Sequence, residues 1–185
     1  MTTVLGKWDK GVDFLQARVM LENILKSQAS VLVATLPKLN KHLGSVFIKN
    51  SVAYIQLMNG ARVSEALEAL RHYIKTKQIT FKLPAKKTKV LRPFRIPELI
   101  QVNRILYDAY ASFAFEIDKH DIIVHLKRIF GWNSHSLRYA FIRYAIEKGY
   151  SAEVLALILG HKKIDTTLNY SRNIRSESIL EKIQE

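Results

Sequence analysis

The chain has no cysteine, which removes disulfides, thiolate nucleophiles and cysteine-ligated zinc together. Only seven glycines and four prolines are spread over 185 residues, with no repeat or low-complexity run, a composition that argues against a disordered architectural tail. No apolar run approaches the ~18–20 residues that span a bilayer. The start, MTTVLGKWDK, lacks the hydrophobic centre of a signal peptide, so a soluble intracellular protein is expected. Acidic residues are scarce as well: 16 Asp and Glu stand against 29 Lys and Arg, a formal charge of +13. That excess is more than solubility asks for and predicts a polyanionic partner, nucleic acid before an anionic membrane surface. With 48% hydrophobic residues, the length suffices for one well-buried core, and a single domain over 1–185 is the expected count.

Apolar spacing predicts a first amphipathic helix from Asp9 to about Gln28, through Val12, Leu15, Val19 and Leu25. The run VLVATL before Pro37 is ambiguous by period, and LNKHLG after it reads as a connector. A helix from Val46 to Asn59 ends at Gly60, a suitable C-cap; Arg62 follows at a turn, and Ser64 can start the next helix. Arg62 and Glu65 would at the least form an i,i+3 surface ion pair. From 72 to 97 the period changes. Gln78–Leu83 alternates, Pro84–Lys89 is a basic turn, and Val90–Ile96 is extended again, which predicts a β-hairpin. Its lysines, 77, 82, 86, 87 and 89, exceed what a turn needs, although lysine also protects sheet edges. Pro97 suits the first turn of a helix through Leu106 and Tyr110. Another helix is expected from Asp118 to Phe130, stopped by Gly131, with Asp118 and Asp121 as dipole-favoured caps and not metal ligands. The expected fold is mainly α with a small antiparallel hairpin or three-stranded sheet.

The stretch from Ser134 to Tyr170 carries the best candidates for chemistry. Ser134 as N-cap and Gly149 as stop bound a helix to about Lys148, with Leu137, Ala140, Phe141, Tyr144 and Ala145 on one face. His135 and Arg138 then share its first turn, where unpaired backbone N–H groups and the dipole favour an anion. A second helix, capped by Ser151 and closed by Gly160, delivers His161; Asp165 or Thr166 can start a turn presenting Tyr170. Each residue alone has a plain structural reading: a solvated His-x-x-Arg face, a packing tyrosine, a histidine suited to a helix end. Their combination is what points to a site.

Taken together, these residues resemble the tyrosine recombinases, or phage-integrase family. Its boxes read here as His135-Ser-Leu-Arg138, then Leu159-Gly160-His161, then Tyr170 nine residues on. Upstream, Gly60-Ala-Arg62-Val-Ser64-Glu65 matches the family's Gly-x-Arg-x-Ser-Glu box, and Ala85-Lys-Lys-Thr-Lys89 holds a hairpin lysine, Lys87, followed by Thr. The resemblance covers about 45–171, with about 1–44 as a helical lead-in and about 172–185 as a charged tail whose apolar positions are Ile179, Leu180 and Ile183. In the family such a tail often docks on a neighbouring protomer; a frayed terminus is the plain alternative.

The resemblance implies a site-specific recombinase or integrase. Tyr170 would be the nucleophile, giving a 3′-phosphotyrosyl link and a free 5′ hydroxyl. Arg62 and Arg138 would meet the phosphate charge with bidentate forks, Lys87 would be the general acid, His135 and His161 would assist, and Glu65 would support from behind. Lys82, Lys86 and Lys89 would contact the DNA backbone. No cofactor is implied: the sequence has no Gly-x-x-x-x-Gly-Lys loop and no carboxylate cluster for two metals. Expected partners are double-stranded DNA and further copies of the chain in a dimeric or tetrameric synapse. The expected setting is the cytoplasm or nucleoid of a prokaryotic host, with a virus, phage or plasmid as source. Two features depart from the pattern: only about 60 residues precede Arg62, pointing to a fragment or a minimal enzyme, and Leu-Met-Asn precedes the arginine box instead of a Leu-Leu-Thr kind of run. The rival class is a non-catalytic helix-turn-helix regulator built from the two helices around Gly149. A type IB topoisomerase-like or telomere-resolving enzyme would share the nucleophile logic.

Overall fold

The computed structural model describes residues 10–161. Asp13 accepts a hydrogen bond from the Gln16 N–H at 2.8 Å and starts α1 (Phe14–Ala34), whose buried stripe is Ala17, Leu21, Leu25, Ala29 and Leu32. The helix runs past Gln28 and absorbs most of VLVATL as its last turn. Nor is LNKHLG a connector throughout. Asn40 Oδ1 accepts from the Leu43 N–H at 3.0 Å, so α2 (Lys41–Asn59) begins at Lys41.

Helix α2 is the central element. Phe47, Ile48, Val52, Ala53, Ile55 and Leu57 are fully buried, and α1, α3 (Val63–Thr76), α7 (Lys119–Phe130) and α8 (Ser136–Glu147) pack around it. Ser51, buried within it, finds a partner across the core: its Oγ lies 2.7 Å from Tyr107 Oη. The helix stops at Gly60, which has φ +57° and room for nothing larger, since a Cβ there would come within 2.3 Å of Phe141 Cδ1. Helix α3 then starts at Val63, one residue before the expected Ser64, because Arg62 is its N-cap and Glu65 accepts the Arg62 N–H at 3.0 Å.

The predicted hairpin forms from β1 (Thr80–Pro84) and β2 (Leu91–Arg95), antiparallel, with Phe81 opposite Phe94 and Lys82 opposite Pro93. It has two strands, not three, among the described residues. The helix expected from Pro97 through Tyr110 is two short ones, α4 (Glu98–Val102) and α5 (Arg104–Ala109), with a third, α6 (Ala111–Glu116), after it. Asn103 interrupts it, its side-chain amide donating to Leu99 O at 2.8 Å in competition with the backbone ladder. Arg71 ties off the end of α6 by donating to the carbonyls of Ala114 and Ile117, both at 2.8 Å.

Asp118 and Asp121 form the expected reciprocal cap on α7, which Gly131 ends. Ser134 does not cap α8. Asn133 Oδ1 takes the His135 N–H at 2.9 Å, and Ser136 Oγ takes the Asn133 N–H at 2.9 Å, so the turn before the helix closes on itself. Gly149 stops α8 as predicted, and Ser151 and Gly160 bound α9 (Ala152–Leu159). One buried cluster runs from Phe14 to Ala140. A smaller one, Ile142, Ala145, Ile146, Leu155 and Leu159, joins α8 to α9. Among the described residues no helix is long and apolar enough to cross a membrane.

His125 of α7 is buried and donates through Nε2–H to Asn50 Oδ1 at 2.8 Å, while the Asn50 amide donates to Gln28 Oε1 at 3.1 Å. Burial, with Lys49 and Arg128 adding to it, pushes this imidazole down to about 4. The unfolded chain takes up a proton below about pH 6.5 and the folded chain resists it until about pH 4. The contribution to stability is therefore complete above pH 6.5 and is lost on acidification through that window. In urea melts at about pH 7.5 and about pH 4.5, His125→Gln is expected to lose less stability than wild type, by roughly 2 kcal/mol; equal losses would remove His125 from the acid sensitivity.

Candidate active site

The C-terminus of α2, the N-terminus of α3, the hairpin tip, the first turn of α8 and the end of α9 meet around one carboxylate. Glu65 is 3% exposed. Its Oε1 accepts from Arg62 Nη1 at 2.7 Å and its Oε2 from Arg92 Nη1 at 3.0 Å. Arg138 Nη1 is 3.9 Å from Oε2, and the Lys86 backbone N–H lies 3.3 Å from Oε1. Burial alone would raise this carboxyl, but the Arg62 N–H and the guanidinium groups of Arg92 and Arg62 outweigh it and hold it below the usual carboxylate range. Glu65 is thus an ionised hub, not half of a surface pair.

Arg138 is 2% exposed. Its Nη1 donates to Gly60 O at 2.7 Å and its Nη2 to His161 Nε2 at 2.7 Å. Because a guanidinium only donates, Nε2 of His161 must be the accepting nitrogen, so the ring is neutral with its proton on Nδ1. Electrostatics agree with geometry. Burial first, then the positive charges of Arg138, Arg62 and Arg92, push His161 down to about 4. His135, at the N-cap of α8 and half-buried, is lowered by the same causes, burial ahead of Arg138 and Arg62. The site holds two neutral imidazoles beside two arginines. Arg62 is the more open of the two, with 24% of its side chain exposed.

The hairpin reaches this cluster by its tip. Lys86, Lys87 and Lys89 are exposed there, and Lys82 is exposed at mid-strand. Thr88 Oγ1–H donates to Gly160 O at 2.7 Å. Ala85 is fully buried against Gly160, where an added Cβ would stand 3.0 Å from Ala85 Cβ and 3.3 Å from Arg92 Cβ. Glycine at 160 serves both the left-handed φ of +65° and this close approach. The fold therefore brings together Arg62, Glu65, His135, Arg138, His161 and the tip carrying Lys87. Lys82 stands apart, paired with Pro93. Tyr170 lies outside the described residues. No group of three or more metal-ligating side chains occurs among the described residues.

Sequence reading missed Arg92. It is fully buried, stacks over the Phe94 ring with its Cζ 4.5 Å from the centroid, and donates to Asn59 O at 2.5 Å as well as to Glu65. Burial pushes it down to about 10 against the pull of Glu65, so it stays charged at neutral pH. The available signal was register: Arg92 and Phe94 share the inward face of β2, and a charged residue on the inward face needs a buried partner. Asn59 was missed too. Its side chain spans α2 and β2, donating to Arg95 O at 3.1 Å and accepting the Arg95 N–H at 3.0 Å.

No family model matches the chain, and no solved structure matches it. It is similar to three curated proteins along most of its length. One, named "Putative integrase ORF241", is from Acidianus two-tailed virus: 28% identical over 180 residues, 97% of this chain and 70% of that one. An uncharacterised protein of Methanocaldococcus jannaschii is 29% identical over 209 residues, 96% of this chain and 89% of that one. A protein of Sputnik virophage, also named "Putative integrase", is 25% identical over 203 residues, 95% of this chain and 89% of that one. The chain is thus integrase-like: over nearly its full length it is similar to proteins of two viruses that carry an integrase name.

Proposed function

We propose that this chain is the catalytic domain of a tyrosine recombinase, a site-specific DNA recombinase or integrase. One observation carries the reading: residues far apart in sequence, Arg62, Glu65, Arg138 and His161, form one bonded cluster on which the tip carrying Lys87 is docked. A plain helix-turn-helix regulator has no use for burying Arg138 beneath such a cluster. The main buried cluster, which links α1 through α8, supports treating the described residues as one unit, and the charge of +13 and the integrase-named relatives support DNA as partner.

In this mechanism the Tyr170 phenol loses its proton to the neutral imidazole of His135, and its oxygen bonds to the phosphorus. The bond from phosphorus to the 5′ oxygen breaks, and that oxygen takes a proton from the Lys87 ammonium. Arg62 and Arg138 meet the charge that grows on the non-bridging oxygens. Ester energy is kept in the 3′-phosphotyrosyl link, so a 5′ hydroxyl from a second strand can attack it and reseal the DNA without ATP.

The test uses a pool of nicked duplexes with a randomised core, in which the short piece beyond the cut diffuses away and traps the adduct. Wild type is expected to form a denaturant-resistant protein–DNA adduct in excess chelator as fully as with Mg²⁺, because guanidinium groups neutralise the phosphate. No adduct from any member of the pool would end the reading. A strict need for Mg²⁺ or Mn²⁺ would point instead to a metal-dependent nuclease.

A further inference from the structure

The hairpin tip is closed by its own backbone. The Ala85 N–H donates to Val90 O and the Lys89 N–H to Ala85 O, both at 2.8 Å, with Lys89 in the left-handed region at φ +61°. This closed loop then touches the rest of the molecule on both sides of Lys87. On one side the Lys86 N–H faces Glu65 and Ala85 is wedged beneath Gly160. On the other side the Thr88 hydroxyl donates to Gly160 O. Lys87 stands between these anchors, exposed and, among the described residues, hydrogen-bonded to none. Its backbone is held while its ammonium stays free to face a ligand.

The two anchors differ in kind. The contact from Lys86 to Glu65 is long at 3.3 Å and uses a backbone N–H that any residue but proline would supply. The contact from Thr88 to Gly160 is short at 2.7 Å and depends on a side-chain hydroxyl. Gly160 O is also one of the last carbonyls of α9, which the helix leaves unpaired and where its dipole is negative. A hydroxyl donor is well matched to it. Two residues, His161 and Lys87, are thereby fixed relative to one another, since His161 follows Gly160 directly and Lys87 precedes Thr88.

We propose that Thr88 is a positioning residue: by seating the hairpin on the Gly160 carbonyl it holds the Lys87 ammonium where the departing 5′ oxygen needs its proton. The inference rests on the recombinase reading, and its test separates the two. The duplex sequence that wild type captures from the randomised pool is synthesised twice, with oxygen and with sulfur at the bridging 5′ position. A thiolate leaves with little protonation, so sulfur removes the need for the acid and leaves every other requirement in place.

Thr88→Val keeps the shape and loses the donor; Thr88→Ser keeps the donor. On oxygen, Thr88→Val is expected to cleave about tenfold more slowly than wild type, the scale of one lost hydrogen bond. On sulfur it is expected to match wild type. Thr88→Ser should stay within about twofold of wild type on both substrates. Equal slowing of Thr88→Val on oxygen and sulfur would mean a general structural defect and overturn the proposal. It would fall equally if Thr88→Val were as fast as wild type on oxygen, or if Thr88→Ser were as slow as Thr88→Val. In each of those cases wild-type adduct remains and the recombinase reading stands; absence of wild-type adduct removes both.

Discussion

Tyr170→Phe is expected to abolish the covalent adduct, a fall of at least about 10⁴-fold, because in the proposed mechanism the substitution removes the oxygen that bonds to phosphorus. The other tyrosines are poor substitutes on physical grounds. Burial raises Tyr107 and Tyr73, and burial with the Glu22 carboxylate raises Tyr54, all in the wrong direction for a nucleophile. Tyr110 is fully buried and accepts the Asn40 N–H at 3.1 Å. Tyr144 is stacked on Phe14 with ring centroids 4.3 Å apart. Tyr139, whose ring centroid lies 6.0 Å from that of His135, and exposed Tyr150 are the controls: Tyr139→Phe and Tyr150→Phe should still form adduct. Digestion of the adduct and mass mapping should recover the nucleotide on the peptide containing residue 170. Adduct from Tyr170→Phe, or nucleotide on another peptide, would reassign the nucleophile.

Glu65→Ala is expected to cost about 3–5 kcal/mol of folding stability, because it leaves the wholly buried Arg92 guanidinium without its counter-charge. Against a total of about 5–15 kcal/mol for a typical domain, that is a large share, and it should appear as a drop in the urea midpoint at unchanged slope. A buried pair replaced whole by apolar residues is often near neutral in stability. Glu65→Leu combined with Arg92→Met should therefore recover most of the loss, yet leave cleavage impaired, since Arg62 would lose its acceptor at 2.7 Å. A cost below about 1 kcal/mol for Glu65→Ala would mean that Arg92 is compensated elsewhere.

What was legible in the sequence was local. Helix ends at Gly60, Gly131, Gly149 and Gly160 could be read because a left-handed φ is a demand on one residue, and the hairpin could be read from its period of two. The cap at Asp118 was equally local. Errors arose where a neighbour took the role expected of one residue, as His135 did at the start of α8 in place of Ser134 and Arg62 at the start of α3 in place of Ser64. They arose again where a side chain broke a regular pattern, as Asn103 does between α4 and α5. The candidate site was half readable. Arg62, His135, Arg138 and His161 stand in motifs, but the burial of Glu65 and the existence of Arg92 as its partner depend on β2 docking beside α2 and α3. No spacing along the chain encodes that docking.

Three of the contacts that set the site end on main-chain oxygens: Arg92 on Asn59 O, Arg138 on Gly60 O and Thr88 on Gly160 O. Mutation rewrites side chains, and it has no means of deleting a carbonyl. These seats therefore survive drift in the residues that carry them, provided the chain can still turn at 60 and 160. For anyone transplanting this chemistry to a new scaffold, the first thing to copy is the pair of helix ends, and the arginines come second.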